Sequence, residues 1–177
     1  MTAPLDLAGF DRLAAGVEEE NWEFRTFLKG STLPARRIDL LVRRHCEEAV
    51  REIDCTSCGR CCERLTPLLL PADVRRLARA LGLGEAAFRA RHTVETGDED
   101  DGGGTTGLNL KGPPCPLFAE GKCTVYADRP ADCRSYPHLH KKDFVFRMFA
   151  AVENAAICPI VHRVLERLKA DLWTGRK

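Results

Sequence analysis

The stretch Cys55-Thr-Ser-Cys58-Gly-Arg-Cys61-Cys62 decides how the rest of this sequence is interpreted. Three of its cysteines recur at every third residue, so in a tight loop their thiols can converge on one metal ion or on one face of a cluster. CxxCxxC is the spacing that supplies three ligands of a [4Fe–4S] cluster, and CxxC alone is half of a zinc site. Gly59 lets the backbone bend and offers its amide to a sulfur atom. The stretch therefore predicts a cysteine-ligated metal site.

A second set of cysteines is dispersed over the following hundred residues. The predicted metal ligands are Cys55, Cys58, Cys61, Cys62, Cys115, Cys123, Cys133 and Cys158. Eight thiols divide into two sets of four, which is the ligand number of a structural zinc ion and of an iron–sulfur cluster. The side chains of the neighbours Cys61 and Cys62 are expected to diverge, so they would serve two centres or different iron atoms of one larger cluster. The spacing leaves zinc and iron–sulfur both open.

The ninth cysteine and the histidines carry less weight as ligands. Cys46 falls on the apolar stripe of a predicted helix, where a cysteine behaves as a small buried hydrophobe, so we exclude it from the site. His162 follows Cys158 by four residues, and His138 and His140 follow Cys133 closely. Each could replace a thiolate at a zinc site, although an ordinary structural histidine is the favoured interpretation.

Length and composition are those of a globular protein. The chain has 177 residues, 27 basic and 26 acidic side chains and a net charge of +1, which suits one compact domain with its own core. Within it, residues 1–54 are expected to be a helical segment that leads into the site, and residues 55–177 the metal-binding part. The arginines are scattered on polar helix faces, so we expect no nucleic-acid partner.

The location predicted for the chain is the cytoplasm. Met1 to Phe10 lacks the basic start and apolar core of a secretory signal, and no apolar run is long enough to span a bilayer, so no membrane association is expected. A reducing cytosol keeps thiols unpaired. Nine cysteines in such a compartment indicate metal binding or redox chemistry rather than disulfides.

Apolar residues at three- and four-residue steps predict helices over most of the chain. These helices run from Leu5 to Leu28, from Pro34 to Ile53, from Pro71 to a stop at Gly82, from Glu85 to His92, and from Pro159 through Leu172. In the second of them the predicted apolar face includes Cys46 and Val50. Proline at the first position of a helix, as at Pro71 and Pro159, is typical of a helix start.

The predicted strands are few. A hairpin is expected between Pro113 and Tyr126 with its turn at Glu120-Gly121, and Phe144 to Phe149 alternate as in one more short strand. Gly97 to Gly107 reads as a mobile acidic loop, and its match to GxGxxG is accidental because no strand precedes it. The fold class predicted is mainly α with a small β-hairpin, α+β, in which irregular cysteine-rich loops pack on amphipathic helices.

The block from Cys55 to Cys158 resembles the CxxCxxCC, or YkgJ-type, cysteine-cluster family. The shared features are the first cysteine stretch, the helix from Ala72 to Leu81, Cys115-Pro116, Gly121-Lys-Cys123, Tyr126-Ala-Asp-Arg129-Pro130-Ala-Asp-Cys133 and the late Cys158. The resemblance implies chelation of zinc or iron. It also singles out Tyr126 and Arg129 as residues beside the bound group, where Arg129 would donate hydrogen bonds to a thiolate-rich centre. Alternatively, Arg129 pairs with Asp128 or Asp132.

Two functions follow from this site. The first is a redox or electron-transfer role, or an accessory role for an iron–sulfur oxidoreductase, with a redox or protein partner. The alternative is a zinc-stapled interaction or metal-handling protein without turnover, whose partners are metal ions. The sequence contains no phosphate loop and no HExxH motif that would indicate a hydrolase or transferase, and whether the chain is an enzyme stays open.

Overall fold

The computed structural model describes residues 7–96 and 107–173, and the chain divides into two compact units. We call Met1–Cys58 with Pro137–Lys177 the helical unit, and Gly59–Tyr136 the cysteine unit. The stretch 97–106, which includes most of the predicted acidic loop and of the GxGxxG match, lies outside the described residues, as does Leu5. The predicted division of the chain into a helical segment, residues 1–54, and a metal-binding part, residues 55–177, stays a prediction.

The elements are as follows in chain order. The helices are α1 (Leu7–Gly16), α2 (Glu18–Gly30), α3 (Ala35–Glu52), α4 (Cys55–Cys58), α5 (Arg60–Arg64), α6 (Pro71–Ala80), α7 (Glu85–His92), α8 (Ala131–Ser135), α9 (Met148–Ala155) and α10 (Pro159–Leu172). The strands are β1 (Leu68–Leu69), β2 (Thr93–Thr96), β3 (Gly107–Leu110), β4 (Phe118–Ala119) and β5 (Lys122–Cys123). A 3₁₀ turn covers Tyr126–Asp128.

The predicted fold class is confirmed, since the chain is mainly helical with small antiparallel sheets. The predicted helices agree with α3, α6, α7 and α10, and the hairpin with β4 and β5. The predicted N-terminal helix is interrupted instead. Val17 leaves helical geometry at φ −120° and ψ 10°, which separates α1 from α2. Within α2, Phe24 and Leu28 are buried as expected.

The core of the helical unit lies where α3 packs on α10. Ile38 and Val42 of α3 are buried there, together with Val161, Val164, Leu165 and Leu168 of α10. One part of the predicted α3 face is wrong. Val50 is 52% exposed, and His45 is buried with its imidazole 2.9 Å from Asp171 of α10. The apolar periodicity of the sequence did not predict burial of His45, because this polar side chain is buried by its contact with a carboxylate.

The strand predicted from Phe144 to Phe149 is wrong. The backbone there forms a turn that leads into α9, with the amides of Phe146 and Arg147 bonded to the carbonyl of Asp143. The carboxylate of Asp39 accepts hydrogen bonds from the amides of Asp143 and Phe144 at 3.1 and 3.0 Å. A turn whose amides are hydrogen-bonded by a distant carboxylate is thus favoured over the strand that six alternating residues predicted.

Among residues 7–96 and 107–173, no single helix is both long enough and apolar enough to cross a membrane. Only α9 and α10 taken together reach that length and composition, and they are bent by 116° at the break between them.

In the cysteine unit, two short sheets and two helices enclose a small core. Strands β1, β3 and β2 form an antiparallel sheet in that order, and β4 pairs with β5. The core residues are Leu69, Val74, Leu77, Ala78, Phe88, Leu110, Cys115, Leu117 and Val125. Cys62 and Cys123 are partly buried against this core. Two of the predicted ligands therefore lie at the edge of a hydrophobic cluster that also contains a third, Cys115.

The buried carboxylate of Asp73 ties α6 to the segment that carries Cys133. Asp73 is 1% exposed, and its oxygens accept hydrogen bonds from the amides of Leu70 at 3.0 Å and of Ala131 at 3.1 Å. It also accepts one from the guanidinium of Arg76 at 2.6 Å. Arg76 in turn donates to the carbonyls of Asp128 and Arg129. These bonds fix the start of α8, which contains Cys133.

We expect Asp73→Asn to lower the free energy of unfolding by about 2 kcal/mol, since hydrogen bonds to a charged group are lost and an amide nitrogen then faces a donor. Hydrogen exchange at the Ala131 amide should accelerate as well. The matched control is Asp128→Asn in the same segment, which should change stability by less than about 0.5 kcal/mol. Chemical denaturation of both variants checks the difference, and equal losses would contradict the assigned role of Asp73.

Candidate metal centre

The first cysteine stretch forms two short helices, not the tight loop that the spacing predicted. In the helical unit, α4 spans Cys55–Cys58, and Asp54 caps it by accepting hydrogen bonds from the amide and hydroxyl of Thr56 at 2.8 and 2.7 Å. These bonds lower the pKa of Asp54. Cys55 is exposed and Cys58 is half-buried. In the cysteine unit, α5 presents Cys61 and Cys62, both half-buried.

Gly59 precedes α5 in the left-handed conformation, with φ at +64°. A β-carbon at this position would lie 2.6 Å from Cζ of Phe118, which is on strand β4. The glycine is therefore required twice, for its dihedral angle and for the close approach of the β4–β5 hairpin. Because Cys123 ends β5, this contact brings a predicted ligand from the hairpin toward α5.

A backbone hydrogen bond joins α5 to the next cysteine. The amide of Cys115 donates to the carbonyl of Cys62 at 2.7 Å, and the carbonyl of Cys115 accepts from the amide of Phe118 at 3.0 Å. The amide of Thr124 then closes the hairpin on the carbonyl of Leu117 at 2.9 Å. Three cysteine-bearing segments, around Cys62, Cys115 and Cys123, are thus connected by main-chain bonds.

The thiols of the cysteine unit lie within electrostatic reach of one another. We call Cys61, Cys62, Cys115, Cys123 and Cys133 the thiol cluster. Hydrogen bonding with Cys62 lowers the pKa of Cys61 to about 7. The same hydrogen bond, followed by burial and the neighbouring thiols, raises the pKa of Cys62. The predicted divergence of these two side chains is therefore wrong, because adjacent thiols on α5 hydrogen bond with each other.

Burial is the main cause of the remaining pKa shifts in the thiol cluster. It raises the pKa of Cys115, with further contributions from Cys123 and Cys61. It also raises the pKa of Cys133 to about 12, and the charges of Cys61 and Cys115 act in the same direction. Neutral thiols are thus favoured at Cys62, Cys115 and Cys133. A cation among these sulfur atoms would reverse the preference, because metal-bound thiols lose their protons.

The other predicted ligands lie in the helical unit. Cys158 is buried at the start of α10, and its amide donates to the carbonyl of Asn154 at 2.7 Å. Cys46 is half-buried on α3, and burial raises its pKa, followed by the charge of Glu47. None of the nine cysteines forms a disulfide. Metal ligation by all eight predicted cysteines, Cys55, Cys58 and Cys158 included, stays a prediction.

The histidines weighed as alternative ligands differ in environment. His162 is 6% exposed, its ring lies edge-on to Phe10 at 5.4 Å, and burial lowers its pKa. His138 is half-buried with φ at +61°, and His140 is exposed.

Tyr126 and Arg129, the residues predicted to lie beside the bound group, contact each other. The guanidinium of Arg129 lies 4.0 Å from the centre of the Tyr126 ring and donates to the Tyr126 carbonyl at 2.8 Å. The carbonyl of Arg129 accepts from Arg134 at 3.0 Å. These bonds shape the turn before α8, and a role for either residue toward a metal stays a prediction.

Sequence reasoning missed the residues that hold the ligand segments in place. For Asp73 a signal was present, since a carboxylate at the third position of a helix is a known capping signal. Asp132 was also missed. Its carboxylate accepts from the amide of Leu68 at 3.2 Å and thereby attaches α8 to β1. No periodic signal pointed to Phe118 as the contact of Gly59.

The thiol cluster fits zinc or iron by the chemistry of its donors, since thiolates suit both metals. Its geometry is not that of a closed coordination shell. Within residues 7–96 and 107–173, no group of three or more His, Cys, Asp or Glu side chains stands where it could hold a metal ion. The hydrogen bond between Cys61 and Cys62 would have to give way to metal–sulfur bonds for a shell to close.

We expect Gly59→Ala to destabilise the cysteine unit more than Gly82→Ala. Both glycines have a positive φ, at +64° and +66°, so each alanine costs about 1–2 kcal/mol in backbone strain. Only at Gly59 does the new methyl group meet Phe118, because Gly82 has nothing within 4 Å. Overpacking adds about 1–3 kcal/mol. Chemical denaturation measures the difference, and equal effects would contradict the packing argument.

In the reduced, metal-free protein, Cys61 should be alkylated by iodoacetamide with a half-maximal rate near pH 7, because hydrogen bonding with Cys62 favours its thiolate. In Cys62→Ala the midpoint should move up toward the ordinary value of 9.0. Mass spectrometry of the labelled peptide gives both midpoints, with Cys46 as the internal reference for a thiol of raised pKa. An unshifted midpoint in Cys62→Ala would show that hydrogen bonding with Cys62 is not what lowers the pKa of Cys61.

The comparisons with known proteins give one family. Searches of curated proteins and of solved structures gave no match. One family model matches residues 54–158, which is more than half of the chain and includes all eight predicted ligands. Its description is "putative zinc- or iron-chelating domain". On this match, and with the thiol cluster inside the matched region, the chain belongs to the CxxCxxCC family.

Proposed function

We propose that this chain binds zinc or iron through the thiolates of the thiol cluster, and that the bound metal organises the cysteine unit. The observation that carries the proposal is that five thiols on four separate segments lie within electrostatic reach of one another. Soft sulfur donors in this number suit a transition metal. The family to which the chain belongs supports the same chemistry.

The energetics of the cluster favour a resident cation. Thiols that are half-buried and close together repel one another once ionised, so without a cation the cluster must hold protons. A divalent metal would replace those protons and exchange repulsion for metal–sulfur bonds. Since the ligands are spread from Cys61 to Cys133, closing them around one ion also restricts the unfolded chain. Stability and metal content should therefore change together.

The identity of the metal decides between the two functions. With zinc, the centre acts as a structural staple, and the chain is an interaction or metal-handling protein without turnover. With iron, the same thiolates would hold an iron–sulfur cluster of [4Fe–4S] type, and a redox or electron-transfer role beside an iron–sulfur oxidoreductase follows. Five thiols are one more than either a structural zinc ion or a [4Fe–4S] cluster requires, so the fifth would belong to a second centre or stay outside the shell. Nine cysteines without a disulfide suit a reducing compartment such as the cytoplasm.

The experiment is purification of the full chain without oxygen, followed by elemental analysis and absorption spectroscopy. Cys61→Ser and Cys133→Ser should each lose most of the bound metal, because a shell that has lost one thiolate binds far more weakly. Cys46→Ser, which makes the same replacement on α3, should keep the full complement. Serine variants of Cys55, Cys58 and Cys158 test the remaining predicted ligands one at a time.

The outcomes separate cleanly. Brown protein with iron and sulfide supports the redox function, whereas colourless protein with stoichiometric zinc supports the staple. Removal of metal by a chelator should lower the melting temperature in either case. Purified wild-type chain with neither metal, or equal metal loss from Cys46→Ser and Cys61→Ser, would overturn the proposal.

A further inference from the structure

Large aromatic side chains are exposed at the start of α9 in the helical unit. Phe146 is 91% exposed and Phe149 is 52% exposed. The ring of Trp22, from α2, lies 5.2 Å from the ring of Phe149. We call Trp22, Phe146 and Phe149 the aromatic patch. Aromatic side chains that protrude in this way are enriched at protein interfaces, where they account for much of the binding energy.

Positive charge accompanies the aromatic patch. The guanidinium of Arg25 lies 5.9 Å from the centre of the Trp22 ring and 5.8 Å from that of Phe149. Its Nε is buried without a hydrogen-bond partner. Arg147 directs its guanidinium to the carbonyls of His138, Lys141 and Lys142, so that its donors are used on the backbone rather than on a carboxylate.

A pocket of about 300 Å³ opens beside Phe149. Its walls include the apolar side chains of Leu139 and Phe149 and the cationic side chains of Lys141 and Arg147. None of the residues that line it is an aspartate or a glutamate. Glu23 and Glu153 lie on α2 and α9, but both are exposed and neither lines the pocket. The charged side chains in the walls, Lys141 and Arg147, are therefore both basic, and Asp39 and Asp143 at the turn before α9 do not line the pocket.

These features select one kind of occupant. A cavity of this volume admits one bulky apolar side chain, and flanking cations attract carboxylates on the same ligand. An anionic membrane would also be attracted to aromatic and basic side chains, but a lipid surface makes no use of a concave pocket. We propose that this surface binds an acidic segment of a partner protein, with an apolar side chain of that segment in the pocket.

In this proposal, basic side chains and apolar side chains contact different parts of the acidic segment. Lys141 in the pocket wall, with the neighbouring Lys142, would attract the acidic side chains, while Phe149 would contact the apolar anchor and the exposed Phe146 would extend that contact outside the pocket. The binding should weaken as salt rises, because exposed charges are screened. This inference does not depend on the metal or on the thiol cluster, whose residues lie elsewhere in the chain.

The test uses the full chain as purified, immobilised for selection from a random 12-residue peptide library displayed on phage. The selected peptides should be enriched in Asp and Glu around one aromatic or large aliphatic residue. Affinities of the consensus peptide are then measured by fluorescence anisotropy. Phe146→Ser and Lys141→Glu should each weaken binding about tenfold.

Matched controls lie on the same unit. Leu40→Ser removes another exposed apolar side chain, 56% exposed on α3, and Lys29→Glu reverses an exposed charge on α2; both should bind as wild type. Circular dichroism verifies that every variant is folded, and Phe146, at 91% exposure, is the position least able to disturb the core. The proposal is overturned by selected peptides without acidic enrichment or by unchanged affinity in Phe146→Ser. Binding to phosphatidylglycerol vesicles with no acidic peptide selected would also overturn it.

Discussion

The carboxylate of Asp73 is the constraint on which the arrangement of the cysteine unit depends. It is buried, yet it satisfies three donors from three different places, the amides of Leu70 and Ala131 and the guanidinium of Arg76. A buried charge is stable only when it is paired and hydrogen-bonded, so separation from these partners would strongly lower the free energy of unfolding. The position of α8, and with it that of Cys133, follows from this requirement rather than from apolar packing.

The ligand segments are held by polar and main-chain bonds because the core beside them is small. The buried cluster in this unit has nine members, one of which is a cysteine, and the strands around it are short. Such a core can position a helix but cannot fix several loops at once. The hydrogen bond between Cys115 and Cys62, the approach of Phe118 to Gly59 and the carboxylates of Asp73 and Asp132 supply the missing constraints. A metal would add to them.

The sequence predicted secondary structure correctly where one pattern, such as apolar periodicity, extended over enough residues. Ten or more residues of apolar periodicity, with proline at one end, located α3, α6 and α10. The strand predicted around Phe144 failed because Asp39, about a hundred residues earlier, satisfies the amides of the turn. The sheet formed by β1, β2 and β3 was missed because its strands have two to four residues. In the site, spacing identified the cysteines, but it could not anticipate that two neighbouring thiols would share a hydrogen bond.

The hydrogen-bonded thiols of Cys61 and Cys62 also bear on the proton release that would accompany metal binding by both residues. With a pKa of about 7, Cys61 is already half ionised at neutral pH, whereas Cys62 still carries its proton. A metal bound by both thiolates would then displace a whole proton from Cys62 but only part of one from Cys61 at neutral pH. The two residues would hold such an ion through their thiolates, and the positive charge of the ion would favour loss of the proton that Cys62 otherwise keeps.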